Sequence, residues 1–318
     1  MGVFFIHIPK TAGTSFRKGV EEFFGKGRLV YDYGGQSPET SLLCLDHVYG
    51  RKDFWGFYQT CAIKDIVMVG GHMPAGRYMP GFGVGNMLTF VREPLQRARS
   101  EYGHHVRLHG FKGTFQDFYE NPRTQNRMSK MLRGVPHPAL GMIGVTERYA
   151  DSLTMINTLY GWNIPLRTDN PGEQHPDGQY VFTAEDEANL RRLHHHDLLL
   201  YGQCVDLFEQ RWRLFQAGLP FVHAQLTEAG EQRVSGWAWW AGRGDEPVRI
   251  DVLVNGQEVG KASALGHVGH LSALSPPRGG HVGFHLPISA GPGDRIQCRV
   301  SATGQMFPAQ PRVVVASP

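Results

Sequence analysis

The stretch from Val3 to Phe24 constrains the fold more than any other. Val3-Phe4-Phe5-Ile6-His7-Ile8 is short, rich in β-branched and aromatic residues, and ended by Pro9, which predicts a buried strand. Lys10-Thr11-Ala12-Gly13-Thr14-Ser15 follows as a loop of small and hydroxyl residues carrying one lysine. The apolar residues of Phe16-Arg17-Lys18-Gly19-Val20-Glu21-Glu22-Phe23-Phe24 then fall at helical spacing. A strand that feeds a helix through small residues suits anion binding. Backbone N–H groups at the helix start point at the ligand, and the helix dipole favours negative charge.

Strand and helix signals alternate beyond this unit. Leu29 to Tyr33 reads as a strand ended by Gly34-Gly35. Ile63 to Val69 is a buried strand running into Gly70-Gly71-His72, and Asn86 to Val91 is another, ended by Arg92-Glu93-Pro94. Ser37 to Thr60 predicts short helices and loops, and Met79 to Gly85 a glycine-rich loop. Pro94 opens a helix to about His105, and Lys112 to Leu132 is mostly helical with a break at Asn121-Pro122. Gly141 to Val145 is a short strand, after which Thr146 is placed to cap a helix reaching about Tyr160. Residues 163–180, rich in Pro, Gly, Asn and Asp, form a loop long enough for a lid or a binding role. Thr183 then starts a helical region expected to run to about Gln216.

The pattern changes at Gly218-Leu219-Pro220. Gln232 to Ala238, Val248 to Val254, Val282 to Leu286 and Arg295 to Val300 are short alternating runs, and Asn255-Gly256 is a hairpin turn signal. The expected architecture is α/β: a P-loop-like parallel sheet flanked by helices over residues 1–218, followed by a small all-β sandwich domain over residues 219–318.

Composition narrows the function classes. With 41% hydrophobic and 19% charged residues among 318, the chain is globular, and a net charge of +3 gives no bulk basicity for a nucleic-acid partner. The four cysteines, Cys44, Cys61, Cys204 and Cys298, are widely spaced without a C-x-x-C pair, so neither disulfides nor structural zinc are expected. No apolar run is long enough to span a membrane, and the Val3–Ile8 run is too short for a signal-peptide core, so a cytoplasmic protein is expected.

The first loop is not a Walker A sequence, because Lys10 precedes Gly13 and no glycine opens the loop. Its chemistry is nevertheless that of a phosphate site. Gly13 permits close backbone approach, Thr11, Thr14 and Ser15 bring hydroxyls, and Lys10 brings a positive charge. Arg92 ends a strand, and Ser100 follows about two helical turns later, a pair suited to a second phosphate. Both sites fall at C-terminal ends of strands, where open α/β sheets bind ligands.

Phe5-Ile6-His7-Ile8-Pro9-Lys10-Thr11-Ala12-Gly13-Thr14-Ser15 resembles the 5′-phosphosulfate loop of carbohydrate sulfotransferases, especially the heparan sulfate and uronyl 2-O-sulfotransferase group. Val91-Arg92-Glu93-Pro94-Leu95-Gln96-Arg97-Ala98-Arg99-Ser100-Glu101-Tyr102 is similar to that family's 3′-phosphate site, and Gly71-His72 to its catalytic histidine segment. Gly144-Val145-Thr146-Glu147 resembles another recurring segment, and Gly70 stands where animal relatives carry a second histidine. The resemblance implies 3′-phosphoadenosine 5′-phosphosulfate (PAPS) as donor, PAP as product, a carbohydrate or glycoconjugate acceptor and no metal. By the same resemblance Lys10 meets the leaving phosphate, Thr11, Ala12, Gly13, Thr14 and Ser15 bind the 5′-phosphate, Arg92 and Ser100 bind the 3′-phosphate, and His72 is the general base. A kinase-like phosphotransferase and a non-catalytic glycan-binding protein are the alternatives.

Further candidates are read from the same sequence. His194-His195-His196 cannot converge on one ion, since neighbouring helical residues diverge by about 100°, and reads as a partly exposed helix end. His104 and His105 either border the pocket or are solvated. The run Arg123, Gln125, Asn126, Arg127, Lys130 and Arg133 is either an acidic-sugar contact or a solvated face. Glu147 reads first as a carboxylate stabilising its own helix start. In Gly236-Trp237-Ala238-Trp239-Trp240, strand alternation puts Trp237 and Trp239 in the sandwich core and Trp240 on the surface.

Overall fold

A computed structural model describes residues 2–167, 179–242, 245–309 and 311–315. These fall into two compact units: Met1–Phe82, Asn86–Gly134 and Met142–Val205 in the first, and Gly83–Gly85, Val135–Gly141 and Asp206–Pro318 in the second.

The first unit is α/β. Its strands β1 (Val3–Ile6), β2 (Leu29–Asp32), β3 (Met68–Gly71), β4 (Met87–Val91) and β5 (Met142–Val145) form a five-stranded sheet in the order β2-β3-β1-β4-β5. All four pairings are parallel. Four of the five strands are buried throughout, as expected for a parallel sheet covered on both faces. The helices are α1 (Gly13–Phe24), α2 (Phe54–Ile63), α3 (Met79–Phe82), α4 (Pro94–His109), α5 (Phe115–Glu120), α6 (Arg127–Met131), α7 (Tyr149–Tyr160), α8 (Ala184–Leu193) and the first half of α9 (His195–Gln216). From β1 the chain passes to the edge strand β2, returns to β3 beside β1, and then crosses to β4 and β5 on the other side; the loops after β1, β3 and β4 therefore share one edge.

Several boundaries differ from the sequence expectation. The strand expected over Ile63–Val69 begins at Met68, because Ile63 closes α2. The expected loop over Met79–Gly85 holds short helical turns. Thr146 does not cap α7; its hydroxyl donates to the Val91 carbonyl at 2.9 Å. The expected single helix to Gln216 breaks at His194, where α8 ends. Within the loop expected over 163–180, residues 168–178 lie outside the described residues. Thr183 does cap α8, accepting the Asp186 N–H at 3.0 Å.

The second unit holds two four-stranded antiparallel sheets. One runs β10-β11-β7-β6 and the other β13-β12-β8-β9, from β6 (Val222–Ala229), β7 (Arg233–Trp240), β8 (Arg249–Val254), β9 (Gln257–Ser263), β10 (Gly266–His267), β11 (His281–Pro287), β12 (Arg295–Val300) and β13 (Arg312–Val313). β8 and β9 meet at Asn255-Gly256, whose φ values of 52° and 81° are those of a tight hairpin turn. β6 and β9 were not among the expected strands. β9 escapes because its residues are mostly exposed and carry no apolar alternation.

The tryptophans of β7 correct the expected facing. Val234, Ala238 and Trp240 join Val222, Ala224 and Leu226 of β6, Ile250 and Val252 of β8 and Ile296 of β12 in one buried cluster. Trp237 and Trp239 point the other way, ring centroids 4.7 Å apart, and Trp239 stacks on His223 at 5.6 Å. They are nonetheless 1% and 3% exposed. Behind them the Arg211 guanidinium donates to the Pro138 carbonyl at 3.1 Å and lies 4.6 Å from the Phe221 ring centre. The strand is buried on both faces, so alternation separates its faces without telling which one meets the second sheet. Trp240→Ala is expected to cost about 3–5 kcal/mol in urea-monitored unfolding. A surface tryptophan would change stability by less than about 0.5 kcal/mol, and that result would overturn the facing.

Candidate active site

The register of the parallel sheet builds the site. Asp32 of β2 pairs with Gly71 of β3, and Gly71 pairs with Ile6 of β1. The residues that immediately follow, Tyr33, His72 and His7, therefore leave three adjacent strand ends side by side. Their rings meet nearly edge-on. His72 lies 4.6 Å from His7 and 4.8 Å from Tyr33 by centroids, at interplanar angles of 68° and 87°. His7 Nδ1 is 3.0 Å from the Tyr33 hydroxyl, which also accepts from Arg17 Nη1 at 3.4 Å. Arg17 in turn pairs with Glu39 at 2.7 Å.

The loop between β1 and α1 turns sharply. Lys10 and Ala12 both adopt positive φ, 67° and 65°, a conformation that costs a residue with a side chain. Thr11 is fully buried, and its hydroxyl donates to the Ile8 carbonyl at 2.9 Å, so it braces the turn from inside. α1 starts with no side-chain cap and no acidic residue in its first turn. α4, in contrast, is closed by the Glu93 carboxylate, which accepts the Gln96 N–H at 2.7 Å. Thr14 is half-buried and Ser15 buried on the first turn of α1. Gly13 has a reason beyond ligand approach: a Cβ there would stand 2.1 Å from His7 Cδ2 and 2.2 Å from His7 Nε2.

Cations gather on this loop. Arg92, half-buried after β4, donates from Nη1 to the Lys10 carbonyl at 3.3 Å. Burial lowers the Lys10 pKa, the charges of Arg107 and Arg92 lower it further, and Glu101 opposes them. Burial also lowers the pKa of Arg92. His104 is lowered by burial first and by the Lys10 charge next, which puts it on the border of this cluster. Ser100 is buried along α4, and no hydrogen bond joins it to Arg92 among the described residues.

The side nearest His72 carries a buried ion network. Arg97, with no exposed surface, donates to Glu101 at 2.6 Å, and Arg127 lies 3.7 Å from the same carboxylate. Burial raises the Glu101 pKa, but Arg97 and Arg127 outweigh it and hold the carboxyl below its usual range. His72 stands in a crowded recess that lowers its pKa to about 4. Arg127 and Arg17 add to that lowering, while Glu101 and Glu39 oppose it. The residue is nonetheless exposed to solvent, so proton exchange is open. His7 is buried and pushed well below the ordinary range, by burial first and then by His72.

The remaining candidates separate cleanly. In the basic run, Gln125 donates to the Tyr119 carbonyl and Asn126 to the Leu193 carbonyl, so both brace the fold. Arg123, Lys130 and Arg133 are exposed, and Arg127 alone of the run pairs with Glu101. Glu147 accepts the Glu93 N–H at 2.9 Å, bracing the start of α4 rather than its own helix. His194 is fully buried at the α8–α9 break, where burial lowers its pKa to about 4, so the tract is a helix end exposed only in part. His195 and His196 stay exposed. No group of three or more His, Cys, Asp or Glu side chains among the described residues is arranged to hold a metal ion. No helix among them is long and apolar enough to cross a membrane.

His7, Tyr33, Arg97 and Glu101 belong to the site without having been singled out from sequence. His7 and Tyr33 become visible only when strand ends are aligned, since the apolar run hides that β1 stops at Ile6. No protein-family model matches the chain, and no curated protein matches it.

Gly13→Ala is expected to displace His7 and lower stability by about 1–3 kcal/mol in urea unfolding. In a double-mutant cycle with His7→Ala the two changes should couple, because removing the ring removes the clash. Additive costs would show that His7 is not what excludes the methyl group.

Proposed function

We propose that this chain transfers a sulfuryl group from PAPS to a hydroxyl of a carbohydrate acceptor. The observation that carries the reading is the meeting, at one sheet edge, of two halves of a transfer site. Lys10 with its neighbouring cations lies before an uncapped helix N-terminus after β1, and His72 follows the adjacent strand β3. The motif resemblance supplies the donor's identity. By the same resemblance the first unit is taken as P-loop-like, and we take the two antiparallel sheets as a sandwich and the location as cytoplasmic.

The residues suit a polyanionic donor. Lys10, Arg92 and Arg107 place positive charge within mutual reach, with Glu101 opposing it. Such crowding is costly until an anion enters. The donor supplies the sulfuryl group and a phosphate leaving group. Thr14, Ser15 and the N–H groups of Ala12 and Gly13 would hold its 5′-phosphate, and Arg92 and Ser100 its 3′-phosphate. Lys10 offsets charge developing on the leaving oxygen. His72, neutral at physiological pH because its pKa is depressed, takes the acceptor proton through a ring nitrogen. The neutral imidazole is the active form, so transfer should rise with pH through the His72 midpoint and level off above it.

A kinase-like alternative calls for an acidic residue free to hold Mg²⁺ beyond a strand. Asp32 ends β2, but its oxygens accept from Tyr49 at 2.7 Å, Tyr78 at 2.6 Å, Arg77 at 3.1 Å and the Gly34 N–H at 3.1 Å. That commitment favours the sulfuryl-transfer reading. The glycan-binding alternative leaves the cation cluster and His72 without a task.

Calorimetry with adenosine 3′,5′-bisphosphate, ATP and ADP is expected to show at least about tenfold preference for the bisphosphate, near 1.4 kcal/mol. Equal affinities, or none, would sink the donor assignment. His72→Ala is expected to lower transfer by about 10²–10⁴-fold with bisphosphate affinity nearly unchanged. Transfer that survives the substitution would remove His72 as the base.

A further inference from the structure

We propose that His7 and Tyr33 are positioning residues that hold the His72 imidazole at the sheet edge. The inference rests on the proposed role of His72 and adds two residues that no sequence motif assigns to it.

A base at a strand end needs its ring fixed, because a free χ rotation spreads the nitrogen over several positions. No hydrogen bond from His72 to a carboxylate is seen among the described residues, and fixation comes instead from rings on both neighbouring strands. β3 lies between β1 and β2, so the residue after Gly71 is flanked by the residues after Ile6 and Asp32. Both flanking rings meet His72 edge-on, at 4.6 and 4.8 Å, within the range of favourable edge-to-face contact.

The flanking rings are themselves locked. His7 stacks on Phe5 at 5.4 Å, and Gly13 leaves only the space its ring fills. Tyr33 joins His7 through the 3.0 Å contact of hydroxyl and Nδ1. Arg17 can only donate, so the Tyr33 oxygen accepts from it, and we assign the Tyr33 O–H as donor to His7 Nδ1. That direction requires a neutral His7, in keeping with its depressed pKa. Arg17 sits 5.8 Å from the Tyr33 ring centre and is anchored by Glu39. Charged groups bearing on His72 come from every side: Arg17 on α1, Glu39 after β2, Glu101 on α4 and Arg127 on α6. None of them replaces the ring contacts, and all remain when His7 or Tyr33 is changed.

The test reads His72 directly. Histidine-labelled protein is titrated by NMR, with the His72 signal assigned from His72→Gln, in wild type, Tyr33→Phe and His7→Ala. Loosening the clamp admits water, so the His72 midpoint should move up by about half a unit or more toward the ordinary value. In turnover assays kcat should fall about tenfold with the donor KM within about twofold, as expected when orientation rather than binding is lost. The Tyr33→Phe variant keeps the ring and removes only the hydroxyl, so it tests the clamp even if His7→Ala does not fold. An unmoved His72 midpoint in Tyr33→Phe, or a moved midpoint with unchanged kcat, overturns the proposal. The titration needs no donor. A wild-type protein that fails to bind the bisphosphate would therefore overturn the donor reading alone and leave the clamp decided by NMR.

Discussion

The parallel register of β2, β3 and β1 is the constraint on which the rest of the first unit depends. Pairing Asp32 with Gly71 and Gly71 with Ile6 fixes, at the next position along each strand, Tyr33, His72 and His7. A slip by one residue would turn those side chains to the opposite face. The register is pinned from below by Asp32, which is fully buried yet accepts from Tyr49, Tyr78, Arg77 and the Gly34 N–H. A carboxylate so deeply buried is tolerable only with this complement of donors. The network ties the end of β2 to Arg77 and Tyr78, a few residues beyond His72, so one buried charge holds both chain segments beside the site.

Electrostatics divide the edge into two regions. Around Lys10 positive groups crowd together, and burial with Arg107 and Arg92 lowers the lysine pKa. Around His72 the charges balance, since Arg127 and Arg17 are opposed by Glu101 and Glu39. The first environment suits an incoming polyanion and the second a neutral imidazole. Glu101 touches both, because it opposes the lowering of Lys10 and of His72 while Arg97 and Arg127 hold it ionised. One buried carboxylate on α4 thereby links the two regions.

Much of this was legible in the residues themselves. The strand–loop–helix opening, the strands ending at His72 and Arg92, and the change of character near residue 220 all follow from local apolar runs and turn formers. What escaped was set by tertiary structure. Ile63 belongs by composition to the apolar run before Gly70, yet α2 claims it, and a strand buried on both faces shows no period to mark its start. Gln125 and Asn126 look like part of a polar ligand surface until their carbonyl partners on Tyr119 and Leu193 are seen. Glu147 accepts the N–H of Glu93, far from it in sequence, a partnership that no local pattern encodes. His7 was hidden inside an apolar run, and its meaning depends on which strands lie beside β1.

The two-sided burial of β7 has a consequence for how the second unit holds together. Its indoles Trp237 and Trp239 face away from the inter-sheet cluster, and Trp239 stacks on His223, whose Nδ1 meets Arg211 and the Pro138 carbonyl. Pro138 and Arg211 come from stretches that precede the first of its strands, yet belong to the same compact unit. Aromatic side chains of this size bury on the order of 150–250 Å² each. A polypeptide cut just before β6 would therefore present a sticky indole stripe to water. The eight strands share their unit with the end of α9, which is joined to β6 through Arg211 and His223.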